Sequence, residues 1–459
     1  MVNSLETSAG VPRLPTRTQL AARAGAAVGA LSRRLGRGTG SVIGGRVLLA
    51  VDPRALSKLA AGRSIALVSG TNGKTTTTTL LRAALATRGP VVSNTLGANL
   101  PPGLAAVLAA APSGARLAAL EVDEAWLARV VTATDPRVVA LLNLSRDQLD
   151  RNNEVRRLAA SWRALIAQRS ASLSLGQASD PATVKTSADG PETTRTHGAP
   201  FEAPMLHVVA NADDPLVAWA AQVAASVTWV GAGQRWTADA AGCPSCGGRI
   251  EFSDVLGGPW SCSECPFRRP DLDVWLEGEA VVFGDGGRVT PGLRLPGRIN
   301  LANAAIALSA ATVLGVDRAE GAAAMAATTQ VGGRYRTVEV DGVSARLLLA
   351  KNPAGWLETF DLLAPPPTPV VVAINARIAD GKDPSWLWDV PFERLKGRLV
   401  VAAGERSADL AVRLRYADVE HRRQPDLLRA IVDAGPGPVD VVANYTSFQA
   451  LNRRLEHER

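Results

Sequence analysis

Short apolar runs alternate along this chain with segments of helical period, and Gly- and Pro-containing polar stretches punctuate them. The run Ser64–Ser69 ends in a glycine loop, and the spacing beyond it predicts a helix over residues 76–87. Apolar runs at 117–122, 138–142 and 206–210 read as strands, and 154–168 and 297–313 as helices. After Gly332-Gly333 the pattern starts again, with strands predicted at 345–349, 370–374, 399–402 and 439–442. Strands alternating with helices predict parallel sheets covered on both faces, an α/β protein.

The same pattern divides the chain. Residues 1–45 are an Ala/Gly/Arg-rich basic leader, expected to start disordered and continue as helix. Residues 46–332 form a central domain, and 333–459 a C-terminal α/β domain. Two segments break the central domain. Residues 170–204 lack periodicity and read as a flexible insertion. Residues 243–269 form a small cysteine module.

Composition narrows the function classes. The chain has 459 residues, 46% hydrophobic and 20% charged, as expected of a soluble globular protein of two or three domains. No apolar run reaches the ~18 residues of a transmembrane helix, and the N-terminus lacks the pattern of a secretory signal. The expected location is therefore the cytoplasm. A net charge of +7 suits nucleic acid, an anionic membrane surface or a phosphorylated substrate, and equally an arginine-rich surface without a charged partner. Placement at the inner face of the cell membrane is the expectation drawn from it. The four histidines are not spaced as metal ligands on one helix, which argues against a His-based hydrolytic site.

The candidate chemistry starts at Gly70-Thr71-Asn72-Gly73-Lys74-Thr75-Thr76. Strand, glycine loop, Lys-Thr and helix follow in the order a phosphate-binding loop requires, so ATP is the expected ligand. Lys74 is expected at the β- and γ-phosphates and Thr75 at Mg²⁺. Glu121, at the carboxyl end of its strand, is the expected acidic Mg²⁺ ligand, with Asp123 and Glu124 just beyond. Cys243-x-x-Cys246 and Cys262-x-x-Cys265 have the spacing of two knuckles converging on one structural Zn²⁺; disulfides are the weaker alternative. The module carries Arg249, Arg268 and Arg269 but also Glu251, Asp254 and Glu264, so no nucleic-acid partner is expected. Residues 375–389 gather Asp380, Lys382, Asp383, Trp386, Trp388 and Asp389 after a strand, a composition that suits a site or an interface.

The loop Gly70–Thr76 resembles that of the Mur ligases and their folylpolyglutamate synthase relatives. Asn143-Leu144-Ser145-Arg146-Asp147-Gln148-Leu149-Asp150 is similar to a family segment that usually has histidine at the position of Gln148. Asn211-Ala212-Asp213-Asp214-Pro215 is similar to the family's Asn-x-Asp-Asp turn. Asn300 and Asn303, in the helix led by Gly297, match the segment that contacts adenine, and Arg334 matches an arginine that reaches the nucleotide. The inserted cysteine module, the Arg146–Asp150 segment, the run 351–355 and the Trp386-Leu387-Trp388-Asp389 loop most resemble the MurT branch. The resemblance implies a Mur ligase-like fold: a central parallel-sheet P-loop ATPase domain, an inserted four-cysteine zinc ribbon and a C-terminal Rossmann-like, partner-binding domain. It implies amidation of the D-glutamate α-carboxylate in the lipid II stem peptide, through an acyl phosphate, with ATP and Mg²⁺. Ammonia would come from a GatD-type glutamine amidotransferase in a heterodimer, with lipid II presented at the membrane surface. All four cysteines are committed to the module, which fits a chain that does not hydrolyse glutamine itself. The resemblance places the acid completing the partner's triad at Asp389, with Asp383 as competitor.

Overall fold

The computed structural model describes residues 11–35, 40–94, 98–112, 114–146, 155–177, 205–254, 257–329 and 335–457. The central sheet has nine strands. Their order is Arg288–Val289, Ala280–Phe283, Val274–Glu277, Val227–Gly231, His207–Asn211, Val138–Leu141, Ser64–Ser69, Leu117–Glu121 and Val91–Ser93. The strands from Val274–Glu277 to Val91–Ser93 run parallel, and the other two close the edge as an antiparallel meander. The inner strands are apolar and buried on both faces, as a helix-covered parallel sheet requires. One core face gathers Leu67, Leu120, Trp162 and Val208, and the other Val68, Leu81, Ala304 and Leu308.

The C-terminal sheet has six strands in the order Tyr335–Val340, Val343–Leu349, Pro438–Ala443, Val370–Ala373, Val400–Ala403 and His421–Arg423. Only its first pair is antiparallel. The α/β pattern of both domains follows the sequence reading. The strands Val91–Ser93, Val227–Gly231, Val274–Glu277, Tyr335–Val340 and His421–Arg423 and the two meander strands are additions; these short or partly polar runs carry little periodic signal.

The helix expected at 76–87 is Lys74–Leu85, continued by a 3₁₀ turn. It starts earlier because Gly73, at φ +85°, turns the chain directly into the helix. The helix expected at 154–168 is Val155–Gln177 and runs into the expected insertion, whose remainder, 178–204, lies outside the described residues. In the leader, helices Thr16–Arg34 and Ser41–Val51 pack against each other, and the second spans the boundary expected at residue 45. Their glycines make this close: a Cβ on Gly25 would lie 2.5 Å from the Gly44 carbonyl oxygen.

The cysteine module is a two-stranded hairpin, Ile250–Asp254 with Gly257–Cys262. It docks on the central domain through Trp260, which packs near Ala218 and Trp229 and donates its indole N–H to Ala212 O at 3.1 Å.

Candidate active site

The sheet register sets the site. Ser64–Ser69 lies between Leu117–Glu121 and Val138–Leu141, with Val68 opposite Glu121 and Ser69 opposite Leu141. Each strand therefore delivers its next residue to the same edge. Gly70, at φ +145°, allows the loop to approach the strand beside it: a Cβ there would lie 2.8 Å from Leu142 Cβ. The segment after Val138–Leu141 then grips the loop. Thr71 N donates to Asn143 O at 2.9 Å, and Asn72 N to Asn143 Oδ1 at 2.9 Å. Ser145 N donates to Thr71 Oγ1 at 3.0 Å, and that hydroxyl donates onward to Ser145 O.

Lys74 and Thr75 open the helix, where first-turn backbone N–H groups and the helix dipole favour an anion. Thr75 Oγ1 donates to Glu121 Oε2 at 2.8 Å, and both residues are buried. Asn99 Nδ2 supports the other carboxylate oxygen at 3.2 Å. Lys74 Nζ donates to Gly70 O and lies 2.9 Å from Glu124 Oε2. Burial pushes the Glu124 carboxyl up, and the Lys74 ammonium opposes that shift. A hydroxyl and a buried carboxylate at hydrogen-bond distance form the hard oxygen set that Mg²⁺ takes, so these residues fit the ion. They also fit a bound phosphate chain. A Cβ at Gly73 would lie 2.6 Å from Asn303 Oδ1, so a side chain there would fill the cradle.

Beside the loop, a cleft separates the two domains. Asn72, Gly73, Asn300 and Asn303 line one wall, and Gly355, Glu358 and Thr359 the other. Asn303 Oδ1 accepts from Thr77 Oγ1 at 3.2 Å, and Asn300 donates its amide to Pro296 O at 2.6 Å. Arg334 lies outside the described residues, as do Asp147, Gln148, Leu149 and Asp150. Sequence reasoning missed Glu358. Burial raises its carboxyl to about 7, although Arg235 lies near enough to oppose the shift. The domains meet through the ion pair of Arg235 with Asp361 at 2.5 Å, and through Leu362, which occupies the space a Cβ of Gly297 would take. The signal available for Glu358 was its place one helical turn after Gly355, on helix Pro353–Phe360.

The Asn211–Pro215 turn supports the loop from behind. Asp214 is fully buried and caps helix Pro215–Ala221 through Leu216 N and Val217 N. It also accepts from Leu144 N at 2.8 Å, inside the segment that grips Thr71 and Asn72. Burial raises its carboxyl to about 6 despite these donors. The adjoining Asp213 pairs with Arg269 of the cysteine module at 2.6 Å. The module thus buttresses the turn, and the turn buttresses the phosphate loop.

All four cysteine sulfurs lie within 4.8 Å of one another. Cys243 and Cys265 Sγ are 3.7 Å apart, and Cys246 and Cys262 Sγ 3.5 Å. Four thiolates at about 2.3 Å from a tetrahedral zinc sit about 3.8 Å from each other, so this cluster fits that ion. The Glu264 N–H donates to Cys262 Sγ at 3.4 Å and holds that thiol down to about 7.

The two candidate acids of the C-terminal loop differ in their surroundings. Asp383 accepts from Ser385 N at 2.8 Å and so fixes the start of the 3₁₀ turn Ser385–Trp388. Asp389 follows that turn and is partly exposed, with Oδ2 3.5 Å from Arg146 Nη2. Arg146 is itself held by Asp239 at 2.5 Å. Arg413 braces the loop below by donating to Leu387 O and Val390 O. Asp380 is buried and is satisfied by Thr446.

Comparison with known proteins bears on both domains. The family model for the Mur ligase middle domain matches residues 68–199, and that for the MurT ligase C-terminal region matches 349–448. The MurT subunit of lipid II isoglutaminyl synthase (glutamine-hydrolyzing) from Streptococcus pneumoniae is 30% identical over 453 residues, covering 92% of this chain and 93% of that one. The subunit of the same description from Staphylococcus aureus is 26% identical over 459 residues, covering 93% and 95%. Among solved structures, a pseudomurein peptide ligase type C from Methanothermus fervidus superposes with a TM-score of 0.60 at 18% identity, over 86% of this chain and 79% of that one. That last likeness shows the fold.

Proposed function

The chain belongs to the MurT family of Mur ligases, and from that membership we propose that it is the ATP-dependent synthetase subunit of a lipid II isoglutaminyl synthase. The observation that carries the chemistry is the Thr75–Glu121 pair, buried beside Lys74 at the carboxyl edge of a parallel sheet. The reaction amidates the α-carboxylate of D-glutamate in the lipid II stem peptide. A carboxylate oxygen attacks the γ-phosphorus of ATP, ADP leaves, and an acyl phosphate forms. Ammonia then adds to the carbonyl carbon, and inorganic phosphate departs as the nitrogen loses a proton.

Such a transfer needs positioning and charge neutralisation more than covalent help from the protein. Lys74 supplies a cation at the helix start, and the Gly73–Thr75 backbone supplies N–H donors. Thr75 and Glu121 would hold Mg²⁺, which when bound spreads the negative charge of the β- and γ-phosphates. Asn303, held by Thr77, stands against Gly73 on the nucleoside side. Asn72, Asn300 and Glu358 offer polar groups in the same cleft.

The nitrogen comes from a second chain. Every cysteine of this one lies in the ribbon, so no thiol is left at the ATP site to release ammonia from glutamine. A GatD-type amidotransferase fits that need, and Asp389 is the acid assigned to its triad. The test supplies this chain with such a partner, ¹⁵N-amide glutamine, ATP, Mg²⁺ and lipid II. Label is expected in the lipid product only when ATP is present. Absence of label from the lipid, with glutamine hydrolysis intact, would overturn the proposal.

The cysteine cluster holds a structural zinc, with no open coordination position for catalysis. Elemental analysis of the purified chain should find zinc, and Cys262→Ser should abolish it. Because the ribbon buttresses Asp213 through Arg269 and docks on the central domain through Trp260, the variant should also melt at least roughly 5 °C lower. Full zinc content and unchanged melting in Cys262→Ser would count against the assignment.

A further inference from the structure

The excess positive charge of the chain is confined to one place. Residues 11–51 hold seven of the 50 lysines and arginines and none of the 43 acidic residues, so the remaining 43 basic residues balance the acids. The next acid, Asp52, is buried and engaged by Thr18 and Lys58.

The helices built from this segment are inverted relative to ordinary surface helices. Thr16–Arg34 turns Thr18, Ala21, Gly25, Gly29 and Ser32 inward. Its outer face carries Leu20, Ala24, Ala27 and Leu31 at positions i, i+4, i+7 and i+11, one stripe of a 3.6-residue period. Leu20 is 58% exposed, Leu31 57% and Leu35, at the helix end, 61%. Arg23 and Arg34 flank the stripe and are exposed. On the companion helix Ser41–Val51, Ile43 and Arg46 face solvent in the same alternation of apolar and cationic groups. Glycine contacts hold the two helices together without using any of these leucines.

We infer that this helical pair is a docking face for an anionic lipid bilayer, along which it lies. The leucines enter the acyl boundary, and the arginines meet lipid phosphates while their stems remain in the interface. No helix among the described residues is long and apolar enough to cross a membrane, so the contact is peripheral. Arg17 also braces the pair, since its guanidinium donates to Val51 O at 2.9 and 2.7 Å and fixes the two helices as a unit. The inner side of the pair connects to the reaction site through one neighbouring helix. Gly45 abuts Pro102 in helix Pro101–Ala109, and the residues leading that helix, Asn99 and Leu100, line a pocket with Lys74, Thr75 and Glu121. A chain lying on a bilayer through this pair holds that pocket near the surface. A nucleic-acid face draws on cations and gives an outward leucine stripe no role, so the stripe favours lipid.

The test is cosedimentation of the full chain with vesicles, with and without its glutaminase partner. Neither stem peptide nor ATP is present, so the outcome is independent of the catalytic reading. Binding is expected to phosphatidylglycerol-containing vesicles, to weaken with salt, and to be at least about tenfold weaker with phosphatidylcholine alone. Leu20→Glu/Leu31→Glu, at exposed positions, should reduce it about tenfold or more at an unchanged melting temperature. Binding unchanged in that variant overturns the inference, as does equal binding to both vesicle types. So does a wild-type dimer in sedimentation that the variant dissociates, or retention of an oligonucleotide in preference to vesicles.

Discussion

Lys74→Ala should abolish ATP-dependent amidation while leaving glutamine hydrolysis by the assembled complex intact. The expected loss in turnover is roughly 10²–10³-fold or more, the effect of removing one preorganised charge from a site of transition-state stabilisation. Two observations make the variant interpretable. Lys74 Nζ reaches back to the carbonyl oxygens of Gly70 and Thr71, so its removal takes a cation from the cradle without removing a backbone donor. Its acidic neighbour can also adapt. Glu124 is already pushed toward its neutral form by burial, and losing the opposing ammonium pushes it further. That shift eases protonation and so lowers the cost of leaving the carboxyl buried without its cation, and the fold should survive. Glu124 has a folded pKa above its unfolded value, so the penalty for ionising it is absent at low pH and grows as pH rises through that interval. In the variant only the folded value rises, so the interval widens upward, and its melting temperature should therefore fall toward alkaline pH more than that of the wild type. Amidation at wild-type rate by Lys74→Ala would remove the phosphate loop from the mechanism.

Much of the site was legible because its parts are local in sequence. The loop Gly70–Thr75 sits between a strand and a helix, and a short motif suffices to place it. Glu121 was legible as the last residue of an apolar run, since parallel strands end at a common edge. The cysteine pairs carried their own spacing. What escaped was set by contacts between distant segments. Its spacing from Gly355 is the one local sign of Glu358, and that spacing does not show it facing Asn303, because the two are joined only by the closing of two domains over a cleft. The support of Leu144 by Asp214, and of Asp213 by Arg269, likewise depends on pairings that no local pattern encodes. The outward leucines of Thr16–Arg34 escaped for a different reason. Their period is that of any amphipathic helix, and only the structure shows that small residues, Thr18, Ala21, Gly25, Gly29 and Ser32, took the inner face.

Asp389→Asn separates the two half-reactions in the opposite sense to Lys74→Ala. The carboxylate of Asp389 stands at the end of a braced loop, in contact with Arg146 rather than with its own backbone. Asp383, by contrast, spends an oxygen on Ser385 N, a role asparagine can also fill. If Asp389 orients the partner's histidine, the amide cannot stabilise the imidazolium, and in serine proteases that change costs roughly 10⁴-fold. Glutamine hydrolysis by the complex should accordingly drop roughly 10³–10⁴-fold in Asp389→Asn and stay near wild type in Asp383→Asn. Ammonium salt supplied in place of glutamine should restore amidation by Asp389→Asn, because its phosphate loop is untouched. The same salt should do nothing for Lys74→Ala. Arg146 links the two halves: its main chain follows Ser145 in the segment gripping the loop, and its guanidinium reaches Asp389. A loss of hydrolysis in Asp383→Asn with none in Asp389→Asn would move the acid to the other end of the 3₁₀ turn. Failure of ammonium to rescue Asp389→Asn would show that the residue serves ligation itself, and the division of labour between the two chains would have to be redrawn.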